Sequence, residues 1–100
     1  MYKDIYKLTF RDLQLLQLTE KFGSLTRAAT TMRMSPSGAS RALTHIREIL
    51  GDSCFVFTRG VPVPTAFFNR IRPVISDILV STENLKSVYF EPQSCTRTFI

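Results

Sequence analysis

The chain carries only four glycines, and none of them sits in a Gly-rich dinucleotide turn or ahead of a P-loop lysine, so nothing is available to cradle a phosphate. The hydrolase and metalloprotease signatures GxSxG and HExxH are absent too. Cysteine is scarce: Cys54 and Cys95 lie far apart without CxxC spacing, and the single histidine, His45, has no second histidine or carboxylate at ligand spacing. Neither a disulfide framework nor a zinc site is indicated, and no cofactor is expected. No apolar run reaches the roughly 18 residues that a membrane span needs. The amino terminus, MYKDIYKLTF, has no continuous apolar stretch behind its charges, so a cytoplasmic chain without a membrane partner is expected. These absences argue against an enzyme.

What remains is a small basic chain. A hydrophobic content of 44% is enough for one compact core in 100 residues, and the formal charge of +5 with a pI near 9.7 favours a polyanionic partner. Such a charge is corroboration only. The decisive segment is residues 24–50, SLTRAATTMRMSPSGASRALTHIREIL, which has the pattern of two helices joined by a tight turn.

Ser24 is a good N-cap, and Leu25, Ala28, Ala29 and Met32 follow at the spacing that gathers apolar groups on one helix face. Arg33-Met34 breaks that pattern. Ser35-Pro36 restarts it, because a serine cap followed by proline at the first helical position satisfies one orphan amide and sacrifices none. The second helix buries Ala39, Ala42, Leu43, Ile46, Ile49 and Leu50, and Gly51 supplies the residue that takes positive φ just past its end. Its opposite side collects Ser37, Ser40, Arg41, Thr44 and Glu48, a strip of small hydrogen-bonding groups around one arginine. Small polar side chains let a helix approach base edges closely. Ala28-Ala29 allows two helices to meet at short range, and Arg27, Arg33, Arg41, Arg47 and Arg59 outnumber Glu48 and Asp52 nearby. The segment reads as a helix-turn-helix with a basic shoulder. His45, beside Thr44 on the helix edge, reads as a solvated residue, and Met32 and Met34 as core.

Thr9-Phe10-Arg11-Asp12 has the form of a capping box, and Leu13, Leu15, Leu16, Leu18 and Phe22 give an apolar face before Gly23, so a first helix is expected over about 10–22. After Gly51, Cys54-Phe55-Val56-Phe57-Thr58 is rich in β-formers. Arg59-Gly60-Val61-Pro62 turns, and Val63 offers a short return. From Thr65 the chain is helical again. Phe68, Ile71, Ile75, Ile78, Thr82 and Leu85 then recur at alternating spacings of 3 and 4, a coiled-coil seam that exceeds what so small a domain can cover and implies a homodimer. Pro73 lies inside this helix and is expected to bend it. Glu91-Pro92-Gln93-Ser94 has the character of a linker, and residues 95–100 of a strand.

The order of these elements and several of their residues resemble the amino-terminal part of LysR-type transcriptional regulators. The resemblance is carried by Ser24-Leu25-Thr26-Arg27-Ala28-Ala29, by Met34-Ser35-Pro36-Ser37-Gly38-Ala39-Ser40-Arg41-Ala42-Leu43, by Leu50-Gly51-Asp52 with Phe55-Val56, and by Val63-Pro64-Thr65. It covers about residues 8–85 without a gap, and FEPQSCTRTF at 90–99 is similar to the family's lead into its effector-binding domain. The resemblance implies a mainly α fold: a winged helix-turn-helix over 1–64 with a two-stranded wing, a long dimerisation helix over 65–86, and a hinge with a possible first strand over 87–100. It implies a dimer on promoter DNA with Pro36 to Thr44 in the major groove and Ser40-Arg41 as its Ser-Arg pair. A small-molecule effector would matter only in a longer chain carrying the effector domain. Two positions depart from the family pattern: Gly38 stands for the usual alanine, and Phe57 for the usual wing arginine, with Arg59-Gly60 one place early.

The function expected is sequence-specific binding of double-stranded promoter DNA, with Ser37, Ser40, Arg41 and Thr44 facing bases or nearby phosphates. Thr26, Arg27, Ser35 and Arg59 would contact the backbone, and the helix amino end at Pro36 would hold a phosphate. An alternative is a winged helix that titrates a related regulator into mixed dimers, which would not require a basic recognition face. An RNA-binding winged helix would instead expect exposed stacking aromatics on this motif.

Overall fold

The computed structural model describes residues 2–90, with side chains over 4–86. A short 3-10 helix, Tyr2–Lys7, leads into α1 (Phe10–Phe22), α2 (Leu25–Thr31) and α3 (Pro36–Leu50). Strands β1 (Phe55–Thr58) and β2 (Val61–Pro64) form an antiparallel hairpin, and α4 (Ala66–Phe90) closes the order. This is a winged helix with a long terminal helix. The hinge and strand expected beyond α4 lie outside the described residues, and α4 itself runs four residues past the boundary at 86.

Each of the first three helices starts where a hydroxyl can take up a free amide. Thr9 Oγ1 accepts from Asp12 N at 3.1 Å while Thr9 N donates back to Asp12 Oδ2 at 2.9 Å, so aspartate completes the capping box. Ser24 Oγ accepts from Arg27 N at 3.1 Å, and Ser35 Oγ from Gly38 N at 3.0 Å with Pro36 in the first turn. Gly23 and Gly51 end α1 and α3 at φ 65° and 70°, a left-handed conformation that side chains resist.

Ala28, Ala29 and Ala39 are fully buried where α2 meets α3, and Leu15, Leu16, Leu43 and Ile46 fill the space beneath them. Met32 and Met34 are half-buried against this core. Arg11 donates to Met32 O at 3.2 Å, which ties α1 to the turn of the helix-turn-helix. Phe68 of α4 sits 4.7 Å, ring centroid to ring centroid, from Phe55 of β1, and Arg72 pairs with Glu20 of α1. The long helix is thereby fixed to the domain along its first half.

The wing turn is tighter than expected. Register pairs Thr58 with Val61, so Arg59-Gly60 alone makes the turn, both at positive φ (55° and 80°), and Val61 and Pro62 belong to β2. Two-residue hairpins favour such a turn because its twist matches that of the strands. Proline is tolerated at 62 and 64 because, in this register, the missing amides fall on the open edge of β2, where they also deny a pairing template to another strand.

The seam expected along α4 is corrected. Phe68 and Ile75 are only 1% and 5% exposed, packed with Leu79 into the domain's own core, and Ile71 and Thr82 are half-buried. Val74, Ile78 and Leu85 stay 57%, 42% and 69% exposed. On a helix of 3.6 residues per turn, Phe67, Ile71, Val74, Ile78, Ser81 and Leu85 form a stripe roughly a quarter turn from the buried one. It keeps the alternating spacing of 4 and 3. The apolar face of α4 is broad enough for two registers, and the domain itself occupies the one centred on Ile75.

Candidate nucleic-acid interface

The outward side of α3 carries the whole polar strip read from the sequence: Ser37, Ser40, Arg41, Thr44 and Glu48 are all exposed, as is His45 beside them. Ser40, Arg41, Thr44, His45 and Glu48 line one shallow groove along the helix. Thr26 and Arg27 are exposed in the first turn of α2, Ser35 and Pro36 at the amino end of α3, and Arg59 at the hairpin tip. The named polar residues therefore stand on three neighbouring elements, with the α3 strip in the middle.

Several of these groups are already engaged. Arg27 stacks over the Phe22 ring at 4.9 Å, which steadies its guanidinium beside the α2 amino end without neutralising it. Ser35 Oγ is committed to its cap and lies 3.5 Å from Ser37 Oγ. Thr44 Oγ1 donates to Ser40 O at 3.0 Å, so its proton is used within the helix and only its lone pairs and methyl remain to meet a partner. Arg41 has no ion pair among the described residues.

Arg47 leaves the basic shoulder. Its Nε donates to Ser53 O at 2.8 Å and its second nitrogen to Phe55 O at 3.1 Å, so it clamps the root of the wing onto α3. The exposed cations of the motif are then Arg27, Arg33, Arg41 and Arg59. A second structural group lies close by: Asp52 Oδ2 accepts from Cys54 N at 2.8 Å and from Thr65 Oγ1 at 2.7 Å. Burial, with the Asp52 carboxylate nearby, pushes the Cys54 thiol up to about 11, which keeps it protonated and unreactive at neutral pH.

Sequence reasoning missed Phe57. It lines a notch with Leu25, Ser40, Leu43, Thr44 and Arg47, beside the polar strip. Strand alternation was the available signal, since it puts Phe57 on the same wing face as the buried Phe55 and hence toward α3.

A family model described as bacterial regulatory helix-turn-helix protein, lysR family, matches residues 10–67, from the start of α1 into α4. The chain belongs to the LysR family. Similar solved structures include VV2_1132, a LysR family transcriptional regulator, at 20% identity and TM-score 0.73 over 82% of this chain. The OxyR C206 mutant of Corynebacterium glutamicum matches at 20% identity and TM-score 0.74 over 80%. The probable transcriptional regulator PA0477 of Pseudomonas aeruginosa matches at 21% identity and TM-score 0.75 over 83%. At these identities the likeness is one of fold. This LysR-family chain spans 28%, 26% and 28% of those three chains, respectively. No match was found among curated proteins. Among the described residues, no helix is long and apolar enough to cross a membrane.

Proposed function

We propose that the chain is the DNA-binding part of a cytoplasmic transcriptional regulator, and that it binds promoter DNA sequence-specifically as a homodimer. The observation that carries this reading is the exposed strip Ser37, Ser40, Arg41 and Thr44 on a buried-backed, capped α3. Such a helix enters the major groove with its amino-terminal half toward base edges. Arg41 is the group suited to a guanine edge, while Ser35, Pro36 and the free amides there hold a phosphate. Thr26, Arg27 and Arg59 flank the groove and meet the backbone on either side. The dimer forms through α4 by the stripe Phe67, Ile71, Val74, Ile78 and Leu85, in place of the register that includes Phe68, Ile75 and Thr82. Two such stripes, exposed at Val74, Ile78 and Leu85 and half-buried at Phe67 and Ile71, associate favourably at about 25 cal/mol per Å² buried.

The test is selection of bound duplexes from random oligonucleotides, followed by comparison of the chain with Arg41→Ala. The variant is expected to lose at least about 1 kcal/mol on the selected duplex and little on random DNA. Equal loss on both would place Arg41 on the backbone, and recovery of no consensus would contradict sequence-specific binding.

A further inference from the structure

We infer that the notch between β1 and α3 is a specificity pocket for the C5-methyl group of a thymine in the major groove, with Phe57 and Thr44 as its walls. The inference rests on the DNA-binding reading and adds to it a base identity and a residue that touches the base.

The notch is lined by Leu25 of α2, Ser40, Leu43, Thr44 and Arg47 of α3, and Phe57 of β1. Two of its three polar members are already engaged, and the Ser40 hydroxyl is the one left without a partner among the described residues. Thr44 Oγ1 gives its proton to Ser40 O, and Arg47 spends its Nε and a terminal nitrogen on Ser53 O and Phe55 O. What faces an incoming ligand is the 36%-exposed Phe57 ring, the half-buried Leu25 and the exposed Thr44, over a floor formed by the buried Leu43, with the Ser40 hydroxyl at the rim shared with the polar strip. The notch is continuous with the strip meant for base edges, because Ser40 and Thr44 belong to both.

A duplex presents donors and acceptors to the major groove almost everywhere, and thymine supplies the one apolar projection, its C5-methyl. Phenylalanine and the threonine methyl are among the side chains suited to it. The pocket is also built in advance. The Arg47 clamp fixes β1 against α3, and Phe57 leans edge-on to Phe55, itself buried, with ring centroids 6.4 Å apart. A cation at position 57 would instead favour a phosphate, so the aromatic ring turns a sequence-blind contact into one that reads a base.

The experiment uses the chain itself and the duplexes it selects from a random pool, with each thymine replaced in turn by deoxyuridine, which removes the methyl alone. At one thymine per half-site the exchange is expected to weaken binding about three- to fivefold, as burial of one methyl implies. In Phe57→Ala the same exchange should change affinity by less than about 1.5-fold, because the methyl then stays in water. Thr44→Ser, which deletes only a methyl and leaves the wing untouched, should show an intermediate ratio. The proposal is overturned if no thymine is sensitive to the exchange, or if both variants keep the full discrimination. Failure to bind any duplex at low salt would overturn the DNA-binding reading as well, whereas binding without methyl sensitivity overturns this inference alone.

Discussion

The Asp52 carboxylate and the Thr65 hydroxyl meet at 2.7 Å, and this contact joins the end of α3, the root of the wing and the start of α4. The same Asp52 oxygen accepts from Cys54 N, and Thr65 Oγ1 in turn accepts from Phe68 N at 3.1 Å, capping α4. Between them, Thr65 N donates to Cys54 O at 2.9 Å. One carboxylate thus holds two donors directly and, through the Thr65 hydroxyl, the first turn of α4. Asp52→Ala should destabilise the fold by about 1–3 kcal/mol, since a partly buried amide and hydroxyl lose their acceptor. Asp52→Asn, which keeps one carbonyl oxygen, should cost less. Urea denaturation of both variants checks this, and an Asp52→Ala midpoint equal to that of the parent chain would show the relay to be dispensable.

Thiol ionisation provides a pH test. Cys54 is raised from 9.0 to about 11 in the folded chain, so the unfolded chain releases this proton first as pH rises. The stabilisation is full below about pH 9 and is lost as pH climbs toward about 11. Stability should therefore fall across that window more steeply in the parent than in Cys54→Ala, whose difference from the parent isolates this thiol. Parallel pH profiles for the two would show that Cys54 ionises equally in both states.

Gly38 costs helix propensity in the first turn of α3, and a Cβ placed there would sit 3.0 Å from Ser35 Oγ. The equivalent third positions of α1 and α2, Asp12 and Arg27, carry side chains while donating to caps of the same kind. The Ser35 cap can accommodate the methyl in the same way, so Gly38→Ala should stabilise the chain by about 0.5–1 kcal/mol. A thermal melt decides it: an unchanged or lower midpoint would mean that the methyl displaces the cap.

Two substitutions one residue apart on α4 should behave oppositely. Ile75 is buried in the domain, so Ile75→Glu places a carboxylate in the core and should unfold the chain or cost several kcal/mol. Val74 is exposed on the proposed dimer stripe, so Val74→Glu should give a folded monomer with weakened affinity for a two-site operator. Sedimentation with circular dichroism separates the two results. A dimeric Val74→Glu would show that the stripe is not the contact.

That contrast marks the limit of what was legible in the sequence. The caps were readable because they are local: Thr9, Ser24 and Ser35 each act on an amide three residues away, and Gly23 and Gly51 end their helices by backbone conformation alone. The α3 strip was readable from its period. The α4 register was not, because apolar residues at 67, 68, 71, 74, 75, 78 and 79 satisfy two seams, and only tertiary packing decides which one the domain covers. Arg47 and Phe57 were hidden for a related reason. Their roles are set by backbone carbonyls of the wing and by a notch between elements, neither of which has a signature in spacing.

The central claim, that α3 and its flanks engage a polyanionic duplex, is tested most directly by binding to duplex DNA as a function of salt. Exposed Arg27 and Arg59 and the α3 amino end would displace counterions from each half-site, twice over in a dimer. Log affinity should fall steeply and linearly with log salt, and the slope should shrink for Arg59→Ala. No binding at low salt, or an affinity indifferent to salt, would contradict the account.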